Sequence, residues 1–397
     1  MTRSAPSQGL ELISLGCRLN IAESEAIRRG LPEDEDLVVV NSCSVTNEAV
    51  RQTRQTIRRL RRARPTARLI VTGCAAETDR AQLAAMPEVD GIIANAAKLD
   101  ARAWNVPKKR RSPLIAHTRA FIGVQTGCDH ACTFCSIPAA RGPSRSAGVD
   151  SVLREVGEHL EAGAKEVVLT GVDLTSWGQE FETAISLGRL VEAILSQFPQ
   201  LVRLRLSSLD GVEIDPLLME LLTGEARLMP HIHLSLQHGD DLILKRMKRR
   251  HNRKQAVRLI EDLRGKRPEL SVGADVIAGF PTEAEAHHQQ NLAIIRELRI
   301  AHGHIFPFSP RDNTPAARMP QNDRATVKRR AAELREVVAD MRNEWLQEQL
   351  GTARPILVER DGTGYTPNYA KVRAPAGAEA NDIVTVTPTA IEEGILI

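Results

Sequence analysis

Six cysteines in 397 residues are few, and their placement constrains this chain more than any other feature. Three crowd into Gly127-Cys-Asp-His-Ala-Cys-Thr-Phe-Cys135, a C-x3-C-x2-C loop directly after a strand-like run. The others stand singly, and each closes a short apolar run: Leu10–Leu15 before Gly16-Cys17, Leu37–Val40 before Asn41-Ser-Cys43, and Leu69–Thr72 before Gly73-Cys74. A helical stretch follows each run, and strands alternating with helices imply a parallel sheet with right-handed crossovers. The C-terminal ends of parallel strands share one edge, where open α/β sheets place their ligands. Three cysteines distant in sequence are therefore expected at one crevice.

Composition narrows the setting. Hydrophobic residues at 42% and charged residues at 26% describe an ordinary globular chain, too long for a single core. No run of about 18 apolar residues is present, and Met1–Gly9 lacks the apolar stretch of a signal peptide. A cytoplasmic location without membrane contact is expected, in a compartment that keeps thiols reduced, so metal or catalytic use of the cysteines is favoured over a disulfide scaffold. Net charge is only +3, yet eight arginines and no acidic residue occupy Arg51 to Arg68, and Lys108–Arg111 and Lys245–Lys254 are further basic clusters. Local patches of this kind grip phosphates without much net charge.

The periodicity predicts an α/β chain in three parts: an N-terminal parallel α/β domain at 1–106, a domain at 119–350 after a proline-bounded linker at 107–118, and a small all-β module at 351–397. The central part shows six strand-like runs, Phe121–Gln125, Val167–Thr170, Val202–Ser207, Ile232–Gln237, Val272–Ala278 and His304–Phe308. Helical segments such as Val152–Ala162 and Gln255–Leu263 separate most of them, which predicts an incomplete (β/α)6 barrel. Arg324–Leu350 reads as a closing helix, and Pro355–Glu359, Tyr369–Arg373 and Ile383–Thr387 as strands of the last module.

Three thiolates from Cys128, Cys132 and Cys135 suit a 4Fe–4S cluster, because they leave one iron without a protein ligand. Structural zinc, the rival, wants a fourth ligand from elsewhere. The free iron can bind the amino and carboxylate groups of S-adenosylmethionine (SAM), and Phe134 is placed to shield the cluster and pack near the adenine. A lone cysteine is usually a small hydrophobe. Cys17, Cys43 and Cys74 together, at three consecutive strand ends, favour a second three-thiolate cluster.

Dispersed cysteines followed by C-x3-C-x2-C resemble the radical SAM methylthiotransferases over nearly the whole chain. Ser14-Leu-Gly-Cys-Arg-Leu-Asn20, Gln125-Thr-Gly-Cys128 and Ile137-Pro-Ala-Ala-Arg-Gly-Pro-Ser-Arg145 match that pattern. Leu169-Thr-Gly-Val-Asp-Leu174, Ser207-Ser-Leu-Asp210, Leu234-Ser-Leu-Gln237, Leu244-Lys-Arg-Met-Lys-Arg-Arg-His251 and Ala274-Asp-Val-Ile-Ala-Gly-Phe-Pro281 resemble its branch acting on threonylcarbamoyladenosine in tRNA. The branches acting on isopentenyladenosine and on a ribosomal protein are the alternatives. Asp312-Asn313, Trp177 and a short tail after Leu350 depart from the family pattern.

The resemblance implies two 4Fe–4S clusters, SAM used twice, methylthiolation at adenine C2 beside the anticodon, and a TRAM-like RNA-binding module at the C-terminus. A tRNA anticodon stem-loop, an electron-donor protein and a sulfur source are the implied partners. Cofactor contacts are expected from Phe134, Gly171, Val172, Asp173, Ser208, Gln237, Asp275, Ile277, Gly279 and Phe308. The helix near Glu48–Arg64 is predicted to bury Val50, Thr53, Ile57 and Leu60 and to present Arg51, Arg54, Arg58 and Arg61 as a cationic ridge. That ridge, with Arg141 and Arg145, is the expected grip on RNA or, for Arg141 and Arg145, on a phosphate or SAM carboxylate. His117, His130 and His159 have no partner pattern and read as packing or surface residues.

Overall fold

The computed structural model describes residues 9–106, 114 and 118–397. Most of the expected linker at 107–118, with the basic cluster Lys108–Arg111 and His117, lies outside them. Two compact units emerge. One gathers Met1–Ile115 with Thr126–Ser144 and Ser309–Thr314; the other holds Ala116–Gln125, Arg145–Phe308 and Pro315–Ile397.

The first unit is built on a four-stranded parallel sheet in sequential order, β1 (Glu11–Ser14), β2 (Leu37–Ser42), β3 (Arg68–Gly73) and β4 (Gly91–Ile92). The two-residue β4 escaped the sequence reading, having no apolar run long enough to register. Alternation along β2 and β3 sends Val38, Val40, Leu69 and Val71 to one face, where Val50, Ile57 and Leu60 cover them. Leu37, Val39 and Ile70 go to the other face, under Ile27, Leu31 and Trp104. A strand buried on both faces reads as a continuous β-branched run, which is why Leu-Val-Val-Val was legible. The covering helices are α1 (Arg18–Gly30) and α2 (Asn47–Ala63), with short α3 (Ala75–Thr78) and α4 (Arg80–Ala84) after β3. Thr46 caps α2, its Oγ1 accepting the Ala49 N–H at 3.1 Å, and the expected stripe of Val50, Thr53, Ile57 and Leu60 is buried. The cysteine loop 128–135 and α5 (Ile137–Arg141) also belong to this unit.

The second unit contains the partial barrel. Parallel strands β5 (Arg119–Gly123), β8 (Glu166–Thr170) and β9 (Arg203–Leu206) form one arc; β10 (Ser208–Leu209), β11 (His231–Gln237), β12 (Ser271–Ala278) and β13 (Ile300–Pro307) form the other. The minimal strands β6 (Gln125–Thr126) and β7 (Arg145–Ser146) lie between β5 and β8 in sequence. The expected strand Val202–Ser207 is interrupted at Ser207, whose hydroxyl accepts the Gly171 N–H at 3.4 Å. The last barrel strand starts four residues earlier than the sequence suggested, because His302 and Gly303 break the apolar alternation there. Helices α6 (Val149–Glu161), α7 (Leu187–Gln197), α8 (Pro216–Gly224), α9 (Asp241–Arg246), α10 (Arg253–Lys266) and α11 (Glu285–Glu297) separate the strands, and α12 (Arg324–Gln347) packs on β13. Outward strand residues such as Leu169, Leu204, Leu234, Val272 and Val276 share one core with Val156, Leu190 and Ile260 of the helices.

The C-terminal module is a six-stranded sheet in the order β17-β14-β15-β16-β19-β18. Its strands are β14 (Arg354–Val358), β15 (Thr363–Tyr365), β16 (Lys371–Arg373), β17 (Ile383–Val386), β18 (Ile391–Glu392) and β19 (Ile395–Leu396). Its loop 365–368 closes the N-terminal end of the barrel. Arg203 donates to the carbonyls of Tyr365 and Pro355 at 2.8 and 2.9 Å, and Arg205 to those of Pro367 and Thr366 at 2.8 and 2.9 Å. Both arginines face the fully buried Glu166. Among the described residues no helix is long and apolar enough to cross a membrane.

Candidate metal and cofactor sites

All three N-terminal cysteines sit at C-terminal strand ends of the one sheet, as topology required. Gly16 and Gly73 precede Cys17 and Cys74 with φ of +94° and +91°, a region that favours glycine. Space makes the same demand. A Cβ on Gly16 would lie 2.6 Å from Cys43 Cβ and 2.8 Å from its Sγ; one on Gly73 would meet Ser42 N and O at 2.5 Å. These glycines let three loops converge until the cysteines lie side by side. Cys43 and Cys74 are buried and Cys17 is exposed, so the set has an open side.

Burial and proximity act together on this set. Burial pushes the Cys43 thiol up to about 11, a Val45 backbone N–H opposes it, and the neighbouring Cys74 and Cys17 raise it further. Cys74 is likewise raised by burial, against the pull of Arg141 and Lys98. Mutual repulsion between three thiolates is what a cationic iron–sulfur cluster relieves, so the donor set fits one.

The second set is a loop of half-buried thiols. Gly127, with φ of +75°, sits so close to Gly142 and Pro143 that no side chain fits, and Cys128 N–H donates to the Gly142 carbonyl at 3.1 Å. Cys128 Sγ accepts the His130 N–H and Cys135 Sγ the Ile137 N–H, both at 3.4 Å. Cys135 N–H donates to the Cys132 carbonyl at 3.2 Å, which folds the loop back on itself. Backbone N–H groups aimed at sulfur are hydrogen bonds of the kind that tune a cluster held through it. No disulfide joins any of the six cysteines.

In the second unit the expected cofactor residues lie at C-terminal strand ends. Gly171, Val172 and Asp173 follow β8, Ser208 stands two residues beyond the end of β9, Gln237 closes β11, Ile277 lies at the end of β12 with Gly279 just after it, and Phe308 follows β13. Several already have occupations within the protein. Gln125 Oε1 accepts the N–H groups of Val172 and Asp173 at 3.1 and 2.9 Å, a role for Gln125 that sequence reasoning missed. Asp173 accepts the Ser176 hydroxyl at 2.8 Å. Gly279, with φ of +71°, leaves room for Val327 of α12, whose Cγ2 would lie 2.6 Å from an added Cβ. The Ile277 carbonyl accepts from Asn291, and the Phe308 N–H donates to Ala278 O at 2.8 Å.

Asp275 is the centre of a cluster. One of its oxygens lies 3.0 Å from His233 Nε2 and 3.1 Å from His304 Nδ1. Burial opposes its charge, but the two imidazoles outweigh burial and hold the carboxyl well below its usual range. The alternating His-x-His pairs at 231/233 and 302/304 were the overlooked signal, since strand alternation puts both members on one side. Phe134, beside the last cysteine, is half-buried.

The arginines divide. Arg145 is exposed. Arg141 does not present its guanidinium to a phosphate: it is 5% exposed and clamped by Glu23 and Asn20, because a buried carboxylate competes for it. On α2, Arg51 pairs with Glu48 at 2.7 Å, Arg54 donates to Gln82, and Arg58 approaches Glu88 at 3.8 Å. Arg61 is committed to the carbonyls of Glu88 and Ala67 and to Asp90.

Known proteins resemble the chain over its whole length. The family model described as Radical SAM superfamily matches residues 122–293, and that described as Uncharacterized protein family UPF0004 matches 10–94. The Threonylcarbamoyladenosine tRNA methylthiotransferase MtaB of Rickettsia prowazekii (strain Madrid E) is 39% identical over 97% of this chain and 96% of its own. The Bacillus subtilis (strain 168) protein of the same name is 30% identical over 90% and 88%. A tRNA-2-methylthio-N(6)-dimethylallyladenosine synthase of Erythrobacter litoralis (strain HTCC2594) is 30% identical over 88% and 86%. Among solved structures, the radical S-adenosylmethionine methyltransferase TsrM from Kitasatospora setae superposes with a TM-score of 0.51 at 16% identity, covering 75% of this chain and 66% of that one. The last likeness is one of fold.

Proposed function

The chain belongs to the radical SAM tRNA methylthiotransferases, and on that premise we propose that it adds a methylthio group to C2 of threonylcarbamoyladenosine in tRNA, with a cluster on each cysteine set. The reading is carried by one observation: three lone cysteines share one sheet edge in a chain that also has the C-x3-C-x2-C loop. A radical SAM enzyme needs only the loop. Full-length identity of 39% to a threonylcarbamoyladenosine relative, against 30% to a dimethylallyladenosine one, supports the substrate.

When bound, an iron–sulfur cluster and SAM supply the radical chemistry that an unactivated aromatic C–H bond demands. The chain's own residues position and shield. Cys128, Cys132 and Cys135 would hold the SAM-binding cluster, with the His130 and Ile137 amides orienting two of the sulfurs. Cys17, Cys43 and Cys74 would hold the auxiliary cluster, and the exposure of Cys17 leaves an approach for a sulfur donor. Gly171, Ser208, Gln237, Ile277 and Phe308, at strand ends of the barrel, are the proposed SAM contacts, and Gln125 fixes the backbone of Val172 and Asp173 beside them. Exposed Arg51, Arg58 and Arg145, half-buried Arg54 and the C-terminal module are the proposed RNA contacts. An electron-donor protein completes the reaction.

Nucleoside mass spectrometry of tRNA from a deletion strain tests the assignment. The 2-methylthio form of threonylcarbamoyladenosine should disappear, leaving its unthiolated precursor, and return with the wild-type gene but not with Cys17→Ala. Loss of 2-methylthio from an isopentenylated adenosine instead would transfer the enzyme to the alternative branch.

A further inference from the structure

Three metal-ligating side chains outside both cysteine sets meet on the inner face of the partial barrel: His233 of β11, Asp275 of β12 and His304 of β13. Strand alternation puts them there. Leu234, Val272, Ala274 and Val276 turn outward into the core shared with the helices, so His233 and Asp275 turn inward. On β13, Gly303 faces Val338 of α12 and Ile305 packs into that same core, which sends His304 to the inner side.

Register brings the three together. Asp275 pairs with His304 across the β12–β13 ladder, and His233 pairs with Gly273 across the β11–β12 ladder. A Cβ on Gly273 would overlap His233 Nδ1, so the bare glycine lets His233 lean across to Asp275, two residues on. One Asp275 oxygen is then 3.0 Å from His233 Nε2 and 3.1 Å from His304 Nδ1, and one ligand atom of each residue lies within 4.8 Å of the others. Bonds of about 2.0–2.1 Å to a tetrahedral ion place neighbouring ligand atoms about 3.3 Å apart, so small rotations of the imidazoles would admit one. The set is walled on one side and open on the other. Two residues earlier on the same strands, His231 and His302 meet edge-on at 5.4 Å, and His231 stacks on Tyr369 at 4.8 Å. Arg205 and Arg342 act on His302 in that layer, where Arg205 also pairs with Glu166. Side-chain exposure rises from 8% at His233 to 22% at Asp275 and 61% at His304.

We propose that His233, Asp275 and His304 form a binding site for a divalent transition metal, zinc by its donor set, with an open coordination position on the side of His304. Two imidazoles and one carboxylate, with a fourth position left free, are the ligand pattern of catalytic rather than structural zinc. Calcium and magnesium want oxygen ligands alone, and the softest ions want thiolate. The ion would lie within the barrel and beside the proposed SAM contacts, because Ile277 follows Asp275 on the same strand face, roughly 7 Å along it. No thiolate takes part, so the inference stands or falls separately from the two proposed clusters.

The test uses the full chain with all six cysteines changed to Ser, so that no thiolate competes, and Co²⁺ as the probe. Titration should give the weak visible bands of a nitrogen–oxygen site, without a thiolate charge-transfer band, and saturate at about one ion per chain. Asp275→Asn in the same background still accepts hydrogen bonds from both imidazoles but loses the anionic ligand. It should weaken Co²⁺ binding at least about tenfold, and His304→Ala likewise. Wild-type chain, reconstituted with iron, equilibrated with Zn²⁺ and freed of excess by gel filtration, carries the same comparison where the cysteine-free chain unfolds. Mass spectrometry of the metals should then find about one zinc fewer per chain in Asp275→Asn than in its parent. Absence of binding in the cysteine-free parent when it is folded, or equal metal in parent and Asp275→Asn, would overturn the inference and leave the three residues a hydrogen-bonded cluster.

Discussion

Gly127→Ala isolates the contribution of one backbone conformation to the SAM-binding cluster. Gly127 has φ of +75°, where an L-residue costs about 1–2 kcal/mol relative to the right-handed region. The steric term is larger. An added Cβ lies 1.8 Å from the Pro143 carbonyl oxygen, more than an ångström inside the 3.0 Å that real Cβ atoms keep, and 2.8 Å from Gly142 O. All the nearest atoms are backbone, so no rotamer change relieves the clash. The segment bearing Gly142 must move by over an ångström, which breaks the bond from Cys128 N–H to the Gly142 carbonyl. Losing one backbone hydrogen bond adds about 1 kcal/mol, for a total of at least 2–3 kcal/mol. The damage falls on the residue before Cys128, in the loop after β6 and outside the N-terminal sheet. Gly127→Ala should therefore keep its secondary structure and the iron proposed for the N-terminal set, dropping from the about eight iron atoms of two proposed clusters to about four per chain. Reductive SAM cleavage should fall at least a hundredfold. The assays are iron determination after anaerobic reconstitution and 5′-deoxyadenosine formation by chromatography. A variant with full iron and wild-type cleavage would refute the reasoning.

Other consequences follow from the barrel and from α2. His302 packs edge-on to Trp345 and Tyr369; burial, reinforced by Arg342 and the neighbouring histidines, pushes it down to about 3. An unfolded histidine titrates near 6.5, so between the two values only the unfolded chain takes up the proton and stability falls as pH drops. His302→Phe should remove about 2 kcal/mol of the loss between pH 7 and pH 5 in urea titrations; parallel curves for variant and wild type would contradict this. Arg205→Ala removes the nearer of the two arginines that pair with buried Glu166 among the described residues, leaving Arg203 at 3.9 Å, and should cost about 3–5 kcal/mol. It also frees the carbonyls of Thr366 and Pro367, so limited proteolysis should release the C-terminal module sooner; an unchanged digestion pattern counts against the barrel-floor role. Arg54→Glu with Arg58→Glu should weaken tRNA binding and lower the slope of log K against log salt by roughly 1.4–1.8, if each arginine meets one phosphate. An unchanged slope would leave these arginines to their partners Gln82 and Glu88.

What was legible in this chain depended on whether a residue's role is set locally or by a distant partner. The six cysteines, the parallel sheet, the barrel strands and the buried stripe of α2 announce themselves, because strand and helix periods are local and a strand's end is fixed by its own sequence. The glycines before Cys17, Cys74 and Cys128 belong here too, although only coordinates show what each makes room for. Charged residues were harder. Arg141 and Arg51 both sit in stretches without acidic residues downstream, yet one is clamped by a carboxylate 118 residues away and the other rests in solvent beside Glu48. Nothing in the sequence near Arg141 names Glu23, since helix α1 brings that carboxylate inward from a face that also carries Asn20 and Ser24. Gln125 was overlooked for the same reason: its side chain closes on Val172 and Asp173, residues on the next barrel strand's loop. Buried polar residues must find partners, and those partners are chosen by topology. The shared sheet edge of the N-terminal cysteines was legible because their topology could be deduced first. Arg141, whose partner topology could not be, was read as a ligand for RNA, a phosphate or a SAM carboxylate, whereas its guanidinium lies buried against Glu23 and Asn20.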